Sequence, residues 1–327
     1  MPVTATRRAV LAAGAAALAA PAVRAQPAFP SRPVTMVVPF AAGGPTDVIS
    51  RLVAEGMGRD LGQPVVAENV TGAGGTIAAG RVAQARPDGH TLLMHHIGHA
   101  SAATLYRRLP YDVVEGFAPL GLASDAAMTL VARPDFPPND LAGFMAEIRR
   151  RGEELNLAHS GLGAANHLCG MLLQSAAGAK LTGVVFRGSA PAITDMMAGR
   201  IDVFCDQATN TAPFLRDGRI KGYAVTLPQR VPGLDLPTTA EAGEPRIEMS
   251  TWHGLYAPRG TPAEVQDRLA AALRAALGEE RLRARFADLV TEPAGDDRAT
   301  PAFHRRFLAE EVARWRPIIQ AAGVYAD

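Results

Sequence analysis

"VVPFAAGGPTDVISR" (residues 37–51) decides how this chain is read. The apolar run Val37-Val38 stops at Pro39-Phe40, and two adjacent glycines follow. After Pro45 and Thr46, apolar residues recur at helical spacing: Val48, Ile49, Leu52, Val53 and Met57. The pattern predicts a strand, a glycine turn and a helix, with Thr46 as N-cap and the helix ending near Gly62-Gln63-Pro64. Uncovered N–H groups in such a turn and the partial positive charge at the helix start make a corner suited to an anion.

The same alternation runs along the chain. Strand-like runs at 34–40, 65–70, 91–94, 155–160, 183–186, 201–205 and 222–226 are separated by helical patterns, which predicts α/β architecture with mostly parallel sheets. Thr261 to Glu264, TPAE, reads as a capping box with proline at the first helical position, opening a helix through about Leu277. Helical patterns dominate from there to Ala321. In two places, 117–135 and 247–262, extended runs follow one another without a helix; the first is joined through Ser124-Asp125-Ala126. If the chain crosses between lobes there, residues 26–125 plus 250–327 form lobe one and 126–249 form lobe two. Two hinge strands then permit opening and closing.

The N-terminus and composition bound the function. Arg7 and Arg8 precede the apolar stretch Ala9 to Ala20, and Val23 and Ala25 stand where signal peptidase cuts, so residues 1–25 read as an export signal. Thr6-Arg7-Arg8 is similar to a twin-arginine signal, which leaves Sec and twin-arginine export both open. No later segment approaches 18 uninterrupted apolar residues, so the mature chain is not expected to enter the membrane. A net charge of +1 with interspersed signs and 6% aromatics give no footprint for nucleic acid. Cys169 and Cys205 lack metal-type spacing; a disulfide and two buried thiols both fit.

Four segments share the strand, glycine loop and helix-start design: 39–47, 71–80, 159–168 and 186–192, hereafter loops one to four. In a doubly wound sheet such loops sit at the C-terminal strand ends, where ligand crevices form. Neither Gly72-Ala73-Gly74-Gly75-Thr76-Ile77 nor Gly161-Leu162-Gly163-Ala164-Ala165-Asn166 completes a dinucleotide fingerprint, and a chain whose only lysines are Lys180 and Lys221 has no Walker loop. No cofactor is expected. His90, His95, His96 and His99 fall within ten residues, yet no carboxylate or cysteine lies among them, so cleft-lining or packed histidines read better than a metal site. Ser160 and Ser189 lie in no hydrolase signature. Asp47, Asp206 and His167 are the polar residues best placed beside the loops. Each also has a structural role open to it: capping its own helix, bonding a neighbouring loop, or packing one turn inside a helix.

The landmarks "PSRPVTMVVPFAAGGPTDVISR", "NVTGAGGTIAAGRVAQARPDGHTLL", "SGLGAANHL", "FRGSAPAITDMMAGRIDVFCD" and "WHGLYAPRGTP" occur in order and span most of the mature chain. In these it resembles the Bug family (Bordetella uptake gene products), the extracytoplasmic solute receptors of tripartite tricarboxylate transporters. The resemblance implies a periplasmic type II binding-protein fold, two doubly wound α/β lobes joined by two hinge strands around a cleft. It implies a monomeric periplasmic receptor that captures a small carboxylate without chemistry on it and passes it to a membrane permease. Carried over by motif, the carboxylate clamp involves Phe40, Gly43, Gly44, Thr46 and Asp47 from lobe one. From lobe two it involves Ser160, Gly161, Gly163, Ala164, Ala165 and His167, with Gly75, Thr76, His95, Gly188, Ser189, Ala190 and Asp206 lining the remainder. Ala164 departs from the family, which often has serine there. The competing reading is an exported hydrolase or metal-dependent enzyme using His95, His96, His99, Asp47 or Ser160.

Overall fold

The computed structural model describes residues 29–326; the export signal expected at residues 1–25 lies outside the described residues. Lobe one starts with β1 (Val34–Val38), α1 (Pro45–Leu61), β2 (Val65–Asn69), α2 (Thr76–Ala83), β3 (Thr91–His96) and α3 (Gly98–Leu105). β1 pairs in parallel with both β2 and β3, the arrangement that helical crossovers require. α1 ends at Gly62 in the left-handed conformation, φ 69°, where only glycine fits without strain. Its start differs from expectation. Gly44 is the N-cap, with no side-chain cap, and Pro45 takes the first turn because its missing N–H is one the helix could not use. Thr46 is therefore inside the helix, and its hydroxyl is free to look elsewhere.

β4 (Phe117–Ala132) is a single strand of 16 residues. Phe117 to Ala127 pair with β9 (Ser250–Pro258), while Met128 to Ala132 pair with β7 (Val203–Gln207). The polar joint Ser124-Asp125-Ala126 thus stays within the strand. It does so because its side chains are answered across the sheet: Ser124 Oγ lies 3.1 Å from His253 Nδ1, and Asp125 pairs with Arg298.

The second lobe contains α4 (Leu141–Arg151), β5 (Asn156–His159), α5 (Ala165–Ala177), β6 (Thr182–Val185), α6 (Ser189–Met197), β7, α7 (Ala208–Arg216) and β8 (Lys221–Val225). β5 pairs in parallel with β6 and β7, whereas β4 joins β7 and β8 antiparallel. The chain returns through the Met249–Thr226 backbone contact into β9, antiparallel to β3 and β4. It then forms α8 (Ala263–Gly278), α9 (Glu280–Asp288), β10 (Thr291–Pro293) and α10 (Pro301–Ala322). One curled path, β2-β1-β3-β9-β4-β7-β5-β6, therefore runs through both lobes, with β8 and β10 attached to β4. The expected capping box at α8 does not form: Pro262 is the N-cap, and Thr261 Oγ1 donates instead to the Pro258 carbonyl at 2.8 Å. The helical C-terminal block is also broken by β10.

Within lobe two, Cys169 on α5 and Cys205 on β7 are joined in a disulfide, both fully buried, with Cα atoms 5.9 Å apart. The bond ties the helix that begins at loop three to the strand that carries Asp206 and Gln207.

Candidate functional site

The four glycine loops meet in pairs across the two lobes. Loop one faces loop four: Ala41 N–H donates to the Arg187 carbonyl at 3.1 Å, and a Cβ on Gly188 would stand 3.0 Å from that of Ala41. Loop two faces loop three: a Cβ on Gly74 would overlap the Leu162 carbonyl oxygen, and one on Gly161 would lie 2.9 Å from Gly74 N. Tyr106 Oη donates to that Leu162 carbonyl at 3.1 Å, and Ser101 Oγ donates to the Gly163 carbonyl at 3.1 Å. Glycine is required at these points because two backbones touch there.

Between the paired loops lies a hollow lined from lobe one by Phe40, Gly44, Pro45, Thr46 and His96, and from lobe two by Ser160, Ala165, Asn166, Ser189 and Gln207. Its cavity is about 10 Å³, room for one water molecule. α1, α5 and α6 begin at its wall, and Gln207 caps α7. The first N–H groups of a helix have no acceptor inside it, so four helix starts direct partial positive charge at one place. None of the lining side chains carries a formal charge.

The loops are wired more tightly than the sequence suggests. Gly43 N–H donates to Asp47 Oδ2 at 2.9 Å, Ser160 N–H to Asn166 Oδ1 at 2.8 Å, Gly161 N–H to His159 Nδ1 at 3.2 Å and Gly163 N–H to His167 Nδ1 at 3.2 Å. Ala164 N–H donates to the Gly161 carbonyl. These N–H groups hold the loops in shape and are already engaged. The groups left for a ligand are those of the first helical turns, at Thr46, Ala165 and Ser189.

Asp47 lies outside the hollow. Its carboxylate takes Gly43 N–H, Arg51 and the Asn69 amide, and Asn69 also donates to the Phe40 carbonyl at 2.9 Å. Burial opposes its ionisation, but the Arg51, Gly43 and Asn69 donors together hold its carboxyl below the usual carboxylate range. It braces loop one from within. Gly75 and Thr76 also stand back from the wall: a Cβ on Gly75 would overlap His95 Nε2, and Thr76 Oγ1 donates to the Ala73 carbonyl at 2.9 Å. His95 sits beneath loop two with its Nδ1 accepting the His96 N–H at 2.9 Å, so it supports the site without reaching the hollow. Gly188 and Ala190 form the loop-four backbone opposite loop one.

Behind Ser160 and Ser189 runs a polar ladder. Asn166 Nδ2 donates to Ser160 Oγ at 2.9 Å and to Ser189 Oγ at 3.4 Å; Ser189 Oγ donates to Asp206 Oδ1 at 2.8 Å; Asn210 Nδ2 donates to Asp206 Oδ2 at 2.7 Å. Asp206 is 1% exposed, and burial, only partly offset by the Ser189 and Asn210 donors, pushes its carboxyl up to about 6.

Four residues that line the hollow were not among the sequence candidates: Pro45, Asn166, Gln207 and, although noticed as part of a histidine cluster, His96. His253 adds a further surprise by meeting Thr46 Oγ1 at 3.2 Å with Nε2 and Ser124 with Nδ1. The only available signal was their place at the end of a strand or in the first turn of a helix. The histidines are packed rather than poised: burial pushes His96 down to about 3, His99 to about 4 and His95 and His253 well below the ordinary range, with neighbouring rings adding to the effect at His95, His96 and His253. Among the described residues no group of three or more His, Cys, Asp or Glu is arranged to hold a metal.

Two α/β lobes sharing hinge strands around an anion-suited hollow define a binding protein of the periplasmic type. Residues 49–324 match the family described as the tripartite tricarboxylate transporter family receptor, TctC, and the chain belongs to that family. The periplasmic binding protein BugD superposes with a TM-score of 0.89 at 42% identity, covering 91% of this chain and 100% of that one. MatC from Rhodopseudomonas palustris, solved with bound malate, gives 0.87 at 41% identity, covering 89% and 100%. A second R. palustris protein, solved with adipate, gives 0.86 at 35% identity, covering 91% and 99%.

Proposed function

We propose that this protein is a periplasmic receptor that captures a small carboxylate between its lobes and delivers it to a membrane permease, without catalysis. One observation carries the reading: the starts of α1, α5 and α6, contributed by both lobes, open on one hollow that has no charged lining side chain. A carboxylate there replaces its hydration with charge-assisted bonds to fixed N–H groups, worth ~1.5–3 kcal/mol each. Malate in MatC and adipate in the second R. palustris relative support the ligand class.

The cavity admits only a water, so a ligand enters when the lobes part. The bodies that move are 26–125 with 250–327 and 126–249, turning about β4 and the 226–250 return. A carboxylate gripped from both sides favours the closed form by its differential affinity. The surface made by closure is what the permease reads, and the receptor works as a monomer.

Thermal-shift screening of the mature protein against mono- and dicarboxylates, followed by calorimetry, should find a ligand of micromolar or better affinity. Replacing its carboxylate by the primary amide should cost at least tenfold. Silence across the panel, with normal folding, refutes the reading. A hydrolase or metal enzyme gains no support from the geometry, because Ser160 Oγ accepts from Asn166 rather than facing a base, and His95 and His96 each spend Nδ1 on a backbone N–H.

A further inference from the structure

The receptor reading leaves open what else the ligand carries, and two side chains of the hollow bear on it. Gln207 is 3% exposed and ends β7 at the hollow's wall. Its Oε1 is buried without any hydrogen-bond partner among the described residues. A buried acceptor left unpaired is destabilising, so the position is set up for a donor to arrive.

On the lobe-one side, His96 lines the same hollow at the end of β3, its ring stacked on Phe40 with centroids 4.6 Å apart. Gly98 N–H donates to His96 Nδ1 at 2.9 Å, which fixes the tautomer. Burial keeps the imidazole neutral well below physiological pH. The ring therefore has one proton to offer, on Nε2, which has no partner among the described residues, and no acceptor to offer.

We propose that His96 and Gln207 together read a hydroxyl group beside the bound carboxylate, so that the ligand is a small hydroxycarboxylic acid. This rests on the receptor reading above. A hydroxyl is the simple substituent that answers both residues: it accepts from His96 Nε2–H and donates to Gln207 Oε1. A methylene does neither. An oxo group accepts but leaves Gln207 Oε1 unpaired, and an ammonium donates but cannot accept from His96. These side chains share the wall of the hollow with the starts of α1 and α5, which places the hydroxyl next to the carboxylate those helices hold.

The test is calorimetry of the unmodified mature protein with two matched series: lactate, pyruvate, alanine and propionate, then malate, oxaloacetate, aspartate and succinate, with adipate as a long plain acid. The hydroxy member should be the tightest of at least one series by tenfold or more. In Gln207→Leu, the ratio between hydroxy and plain acid should fall to within threefold of one. Equal or tighter binding of the plain, oxo or amino member in both series by the unmodified protein overturns the proposal. So does binding of adipate with no hydroxy acid bound, which leaves the receptor reading intact. No binding by any carboxylate takes down both.

Discussion

Gly74→Ala separates closure from folding. Gly74 has φ 61° and ψ 15°, a conformation an alanine adopts at a cost of ~1–2 kcal/mol, charged equally to the open and closed protein. The added methyl, however, overlaps the Leu162 carbonyl oxygen of the other lobe and approaches Tyr106 Oη at 3.0 Å. To relieve this, loops two and three must part by about an ångström. That movement gives up the Tyr106 Oη–Leu162 bond and strains the Ser101 Oγ–Gly163 bond, at ~1 kcal/mol each, together with the packing of Gly161 on Gly74. The closed form loses ~2–3 kcal/mol relative to the open one, so affinity for a carboxylate that binds the parent should drop roughly 30- to 150-fold. Calorimetry measures the affinity, and a thermal melt without ligand measures the fold, which should soften by no more than the left-handed backbone cost. A variant that binds within threefold of the parent refutes the idea that these loop contacts belong to the ligand-gripping form.

Two further outcomes follow from the same geometry. Asp206 has its titration raised from 3.8 to about 6, so the folded protein holds its proton more tightly than the unfolded chain. Its contribution to stability is full below pH 3.8 and is lost as pH rises through about 6, amounting to ~3 kcal/mol at 1.36 kcal/mol per pH unit. Denaturant titrations of Asp206→Asn and the parent should therefore show the variant gaining relative stability between pH 4 and pH 7; parallel pH profiles would show that Asp206 titrates normally. Replacing both Cys169 and Cys205 by alanine opens a loop of 36 residues, which loop-closure entropy values at ~3–4 kcal/mol. The melting temperature should fall by roughly 5–10 °C, and a fall under 2 °C would mean that the cross-link adds nothing to the packing of α5 on β7.

Much of this fold is legible in the sequence because its βα units repeat one local design. The strands at 65–69, 156–159, 182–185 and 221–225 lie within a residue of their predicted runs, and Gly62 ends α1 by the conformational freedom glycine alone has. β4 is less legible, since Ser124 and Asp125 break its apolar pattern and are explained only by His253 and Arg298 from distant parts of the chain. Helix caps also misled. Thr46 and Thr261 have the right residue type, but Pro45 takes the first turn of α1 behind Gly44, and Pro262 is itself the N-cap of α8. At the site, glycine loops announce where helix starts converge. They do not announce that most loop N–H groups are spent internally, or that Asp47 serves the loop rather than the hollow. Gln207 carries no motif, because a glutamine matters only once the sheet register has put it at the wall. The pairing of Cys169 with Cys205 likewise depends on α5 packing over β7, which spacing alone leaves undetermined.

The crystal structure of the mature protein with a bound carboxylate, chosen as the tightest binder in calorimetry, tests the central claim most directly. The carboxylate oxygens should lie within hydrogen-bond distance, directly or through one water, of first-turn N–H groups of α1 and α5 at Thr46 and Ala165, with both lobes in contact. A ligand held by a charged side chain, or seated on one lobe away from those helix starts, would contradict the account.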